Sequence, residues 1–200
     1  MKKLTVYLIL FFTVFIWSLI NPHDYFTWFL EAAPAILFFL VLSLTYKKFK
    51  FSLFVYSFVL LHCFVLLIGA KYTYAEVPLF NYFKEVFGLE RNNYDKVGHF
   101  MQGFVPAFIA RELLVRLKIV NGKNWLKYIV VSICLAISAV YEFIEWGVSI
   151  ATGEAADSFL GTQGYVWDTQ SDMLYATIGA IIAVMVFSRL HDLSINKLKN

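Results

Sequence analysis

Six apolar stretches constrain this chain more than any other feature: residues 4–20, 27–46, 52–70, 97–117, 126–151 and 170–190. Each is near the ~20 residues that carry a helix across the hydrocarbon core of a bilayer. Inside lipid only helices and closed barrels satisfy every backbone N–H and C=O, and long runs without two-residue alternation read as helices. The expected fold is all-α: a polytopic transmembrane helical bundle of about six spans, forming one domain over residues 1–200. Charge agrees, because only 16% of the residues are charged while 60% are hydrophobic, too few to cover a water-soluble domain. The first stretch follows Lys2 and Lys3 like a leader. It is long for one, however, and Ser18-Leu19-Ile20 offers no small-x-small cleavage site, so it reads as an uncleaved helix. Cys63 and Cys134 sit inside apolar runs and read as small core residues.

Orientation follows from the basic residues. With the N-terminus inside, six spans put 13 of the 17 Lys and Arg on the inner side, leaving Lys71, Lys84, Arg91 and Lys96 outside. Of the 14 acids only Glu112 and Asp192 fall inside. The expected topology is therefore N-in/C-in, and the net charge of +3 is a topology signal with no call for a nucleic-acid partner. The longest connection, 71–96, carries its own pattern. Pro78 can open a helix and Gly88 close one, with Leu79, Phe80, Phe83, Val86 and Phe87 at helical spacing between them. This predicts a short helix, lying in the outer interface or packed on the bundle.

Ionisable groups inside a bilayer are costly and mark function by default. Glu31, His62, His99, Gln102, Glu142, Glu145, Asp168 and Asp172 all fall in or at the outer half of their spans. Asp95, His99 and Gln102 step by four and three along one helix. Ser138, Glu142, Glu145 and Ser149 do so on the next, and Asp168, Asp172, Tyr175 and Gly179 on the last. Such spacing makes one stripe per helix. Lipid satisfies none of the stripes, so they should converge on a polar pocket facing outward. Carboxylates gathered there repel, so either some stay protonated or a cation sits among them. Imidazole with carboxylate is a usual shell for a divalent metal such as zinc or manganese, and helical bundles build such sites from facing helices. On this reading His99, Glu145 and Asp172 hold the metal. Glu142 and Asp168 are the catalytic carboxylates, Glu142 as general base, and Asp95, Gln102, His62 and Glu31 support them.

Plainer readings stand beside these. His62 alone fits a packed histidine, and Glu31 a helix cap. Asp95 and Lys96 fit interfacial anchors, and Glu112 with Arg116 fits a structural i, i+4 pair. Ala176 and Ala180 beside Gly179 form a small-residue surface for close helix approach. Pro34 and Pro106 are places where a span can kink. The 152–169 connection, rich in Gly, acid and aromatic residues, is a candidate lid or substrate loop.

The stretches YTYAEVP (72–78), RNNYDKVGHFMQGFVPAFIARELL (91–114), YEFIEW (141–146) and DTQSDMLYATIGA (168–180) together resemble a family of bacterial inner-membrane proteins called YjdF-like, or DUF2238. The resemblance implies a multi-pass protein of the cytoplasmic membrane and brings no activity with it. At the level of pattern the chain is also similar to VanZ-like membrane proteins, which are linked to glycopeptide resistance. Asp95, Lys96, His99 and Phe100 match that family's start, Glu142 or Glu145 its middle acid, and Asp172 with Gly179 its last helix. The Asn that usually follows the late Asp is replaced here by the Ala176-Thr177 region. Three functions fit these residues: hydrolysis or group transfer on an envelope lipid or lipid-linked group, proton-coupled carriage of a small molecule or lipid, or a non-catalytic role as an envelope or assembly factor. The partners implied are membrane lipid and a lipid-linked or small-molecule substrate.

Overall fold

The computed structural model describes residues 2–152 and 165–198. Among them are eight α-helices and one 3-10 turn, and no strand. The helices are α1 (Lys2–Leu19), α2 (Tyr25–Thr45), α3 (Leu53–Tyr72), α4 (Pro78–Phe87), α5 (Tyr94–Arg116), α6 (Lys123–Thr152), α7 (Asp168–Val186) and α8 (Ser188–Asn196). The 3-10 turn, Tyr74–Glu76, lies between α3 and α4.

Local chemistry sets several ends. Asp24 caps α2 from an extended backbone, its carboxylate accepting from the Thr27 N–H at 2.7 Å. That hydrogen bond holds the exposed Asp24 carboxyl below its ordinary range. Ser52 caps α3 in the same way through the Val55 N–H. Pro78 opens α4, and Gly88, at φ 63°, closes it in the left-handed conformation. Pro34 and Pro106 lie within helices that continue past them.

The bundle is built around α5, which packs most extensively on α7 and also meets α3 and α6, while α1 and α2 both lie against α3. Phe54, Phe58, Phe104, Phe108 and Phe187 interlock edge to face across α3, α5 and the end of α7. The outside is equally apolar. Only 28% of the apolar window of α2 and 22% of that of α6 are buried within the protein. The rest presents side chains such as Phe29, Leu37, Leu44, Phe143 and Ile150 outward, which lipid solvates and water does not. By length and composition α2, α3, α6 and α7 are each able to cross a membrane, and α1 is a slightly shorter apolar helix. In α5 the charged residues lower the hydropathy, yet Lys96, Arg111 and Glu112 are all buried. Helix α4 packs Phe80 on Tyr94 at 5.1 Å between ring centroids and leaves Leu79, Tyr82, Val86 and Phe87 exposed.

The stretch expected as one span over 170–190 is two helices, with α7 ending at Val186 and α8 starting at Ser188. The break returns His191 to the core, where it is fully buried and stacked on Phe54. Its Nδ1 faces the Arg111 guanidinium at 3.3 Å and its Nε2 faces Glu112 at 3.0 Å. Arginine has only donors, so Nδ1 accepts, Nε2 carries the proton, and the ring donates to Glu112. Glu112 also accepts from Ser52 N–H and Oγ at 2.8 and 2.6 Å and from Arg116 at 2.8 Å. Arg111 reaches Asp192 at 2.7 Å. A buried carboxylate with four donors is fully satisfied, and it ties α3, α5 and α8 together at one end of the bundle.

Candidate functional site

The opposite end holds the polar cluster. Its scaffold is the entry to α5, which Asn92 fixes with three hydrogen bonds. Its amide donates to the Val77 carbonyl and to Asn81 at 3.0 and 2.8 Å, and its oxygen accepts from the Tyr94 N–H. Tyr94 donates to the Val65 carbonyl at 2.8 Å. The Tyr74 ring fills the space beside Gly69 and Gly98, where any Cβ would collide with it. These contacts set the rotation of α5, so that Asp95, Lys96 and His99 point toward α6 and α7.

Asp168 and Asp172 sit one turn apart at the start of α7 and are both buried. The Lys96 ammonium lies between them, 2.5 Å from Asp168 and 2.7 Å from Asp172, and 3.4 Å from Asp95. Arg91 bridges Asp95 and Asp168, the latter at 2.9 Å. Deeper in, His99 stands between two carboxylates, its Nε2 3.7 Å from Asp172 and its Nδ1 3.9 Å from Glu142. Gln102 meets Nδ1 at 3.2 Å. Glu142 is 7% exposed, and its Oε1, the atom facing His99, has no hydrogen-bond partner. Ser138, one turn below on α6, is likewise buried with an unpartnered hydroxyl.

Of the residues proposed from sequence, His99, Glu142 and Asp172 meet, as do Asp95, Asp168 and Asp172. Gln102 joins the first group. The roles divide differently from the sequence reading. Glu142, rather than Glu145, stands with His99 and Asp172, while Glu145 lies one turn away and half-buried. It makes no ion pair among the described residues, although Glu31, Tyr74 and Tyr141 are within electrostatic reach of it. Asp168, proposed as catalytic, is engaged by two cations. Tyr175 is 41% exposed and off the stripe, and Ala176 takes the inward position. Glu31 is buried on α2 and accepts from Thr73 at 3.3 Å, its second oxygen unpartnered. His62, on α3, is buried beside Phe38 with neither ring nitrogen hydrogen-bonded, and no bond or ion pair links it to His99. The sequence reading missed Arg91 and Lys96 as members of the cluster. The one available signal was their placement among acids at the outer end. Most of the 152–169 connection, the candidate lid, lies outside the described residues.

One ligand atom each from His99, Glu142 and Asp172 can be chosen so that all lie within 4.8 Å of one another. Zinc with bonds of about 2.0–2.2 Å holds its ligands roughly 3.4 Å apart, so a small rotamer change closes the shell. Charge favours it as well. Asp95, Asp168 and Asp172 pair with Arg91 and Lys96, and Glu142 faces only His99, so four carboxylates share two fixed cations and two negative charges are in excess. A divalent cation balances them, and so do two protons.

Long outward-apolar helices around a buried ionic cluster define an integral, polytopic helical membrane protein. The family model described as "Predicted membrane protein (DUF2238)" matches residues 3–193, and the chain belongs to that family. It is 45% identical over 190 residues to the Inner membrane protein YjdF of Escherichia coli (strain K12), an alignment covering 95% of this chain and 88% of the relative. The protein is thus one of the bacterial inner membrane. No solved structure matches it.

Proposed function

We propose that the His99–Glu142–Asp172 group binds a divalent metal, zinc or manganese, at the outer side of the membrane, and serves hydrolysis or group transfer on an envelope lipid or lipid-linked group. The observation that carries this is the buried, unpartnered Glu142 Oε1 aimed at an imidazole that also faces Asp172. When bound, such a metal acts as a Lewis acid and makes water a nucleophile near neutral pH. Around it, Gln102 orients the imidazole, and Lys96 fixes the carboxylate of Asp172. Glu145, one turn along the same helix, makes no ion pair among the described residues and stands outside the ligand group. Metal content of gently purified protein tests the proposal. About one metal per chain is expected, lost in His99→Ala and in Glu142→Gln and kept in Glu145→Gln. Wild-type protein without stoichiometric metal would sink it.

A proton relay is the second reading, favoured by the same geometry: His99 offers different nitrogens to two carboxylates, as a relay requires. The interlocked Phe58, Phe104 and Phe108 lie between this cluster and the satisfied Glu112 network, which weighs against a path through the bundle. In that case Glu→Gln changes would alter the pH dependence of uptake with no metal signal. A non-catalytic envelope factor would show neither response.

The reading also needs six spans with both termini inside, α5 crossing because its charges are paired within the bundle. A cysteine at Glu90 should then react with an impermeant maleimide in intact cells, and one at Asn196 only after permeabilisation. Labelling of the Asn196→Cys protein from outside would overturn this topology.

A further inference from the structure

We propose that a crevice between α1, α2 and α3, at the basic end of the bundle and far from the polar cluster, binds one acyl chain of an anionic phospholipid. Helices α1 and α2 are consecutive, yet each packs on α3 more than on the other, and a wedge opens between them. It forms a cavity of about 400 Å³ lined by Leu4, Leu8, Phe11, Phe39, Leu42 and Leu60 among others. Phe11 and Phe39 stack at 5.2 Å and close its deep end. From Leu4 to Phe11 is seven residues, about 10 Å along a helix.

The shape selects the occupant. A helix about 10 Å wide running that depth would need roughly 800 Å³, twice what is there. A single hydrocarbon chain is slender enough, and the apolar walls favour it. The mouth supplies polar and charged groups for a headgroup. Ser43 and Tyr46 place hydroxyl-bearing side chains along the crevice, while the Tyr7 hydroxyl is bonded to Ser57 and that of Tyr56 accepts from the Phe51 N–H. Lys47, Lys48 and Lys50 follow directly after Tyr46 and are exposed. The acids described at this end are already engaged, Glu112 by Ser52, Arg116 and His191, and Asp192 by Arg111. The local surplus is therefore positive, which attracts an anionic lipid headgroup.

The test uses full-length protein purified in mild detergent, with phosphatidylglycerol as the probe and phosphatidylcholine as its neutral comparison. Wild type should retain about one anionic phospholipid through purification, and phosphatidylglycerol added to delipidated protein should raise its melting temperature by 5 °C or more. Leu60→Trp, which fills the crevice, should cut retained lipid at least fivefold and abolish the shift. Should that variant fail to fold, Lys47→Glu with Lys48→Glu lies wholly on the surface and should remove the preference for phosphatidylglycerol. Equal shifts with both lipids, or undiminished retention in the variants, would overturn the proposal. So would a peptide rather than a lipid retained at one per chain.

Discussion

Replacing Lys96 with Met should lower the melting temperature of the detergent-solubilised protein by on the order of 10 °C, from about 3–5 kcal/mol lost when one partner of a buried ion pair is removed. Lys96 is 8% exposed, and its ammonium is shared by Asp95, Asp168 and Asp172. Met keeps the length and apolar stem of the side chain, so packing is preserved and only the charge is lost. Three carboxylates then face one another with Arg91 alone to balance them, in a setting that cannot solvate them. The helix most affected is α7, because Lys96 is what fastens Asp168 and Asp172 to α5. A second substitution tells this mechanism from general damage: adding Asp168→Asn removes one of the stranded charges and should restore part of the loss. Added manganese or zinc should also protect the Lys96→Met protein, since an external cation then has a vacancy of charge to fill. A single variant melting within 2 °C of wild type would show that the cluster does not depend on its lysine.

This cluster also shows where sequence reasoning reaches its limit. The spans were legible because lipid imposes one condition on every residue of a helix, and the stripes because four-residue spacing survives any tertiary arrangement. What spacing leaves open is the rotation of each helix. Successive residues turn by about 100°, so Glu142 and Glu145 lie about 60° apart. Which of them faces His99 is decided by packing on α5 and α7. On α7, Ala176 is about 40° from Asp172 and Tyr175 about 60° the other way, and the close approach to α5 selects Ala176. The partners of Lys96 are hidden for a related reason. A lysine near the end of a span ordinarily snorkels to the interface, and nothing local announces that its partners lie 72 and 76 residues further on. His191 was hidden by the break after Val186, which neither Pro nor Gly marks in the sequence. Its hydrogen bonds to Glu112 and Arg111 depend on α8 packing against the start of α3, which no local pattern announces.

Adding a single methyl group at Gly103 should separate α5 from α7 and disperse the cluster. A Cβ built at Gly103 falls 1.7 Å from the backbone oxygen of Ala176, and one at Gly179 falls 2.2 Å from that of Phe100. The obstacles are carbonyl groups of the neighbouring helix and no rotamer change moves them, so the backbones themselves must part by more than about 1 Å to reach ordinary contact. Lys96 bonds Asp172 at 2.7 Å and His99 faces it at 3.7 Å, and a shift of that size takes both beyond useful range. Gly103→Ala should therefore cost more than the usual 1–3 kcal/mol of overpacking, with broadened elution, a depressed melting temperature and loss of any metal bound at His99. Membrane insertion should persist, because the hydrophobicity of the spans is unchanged. Two controls isolate the cause. Gly147→Ala, on α6 with nothing within 4 Å of the new atom, should be neutral or slightly stabilising, since alanine favours the helix. Ala176→Gly in the Gly103→Ala background should give no rescue, because the collision is with the backbone oxygen at 176 and not with its methyl group. A Gly103→Ala protein that melts with the wild type would mean the two helices are held less closely than their carbonyls imply.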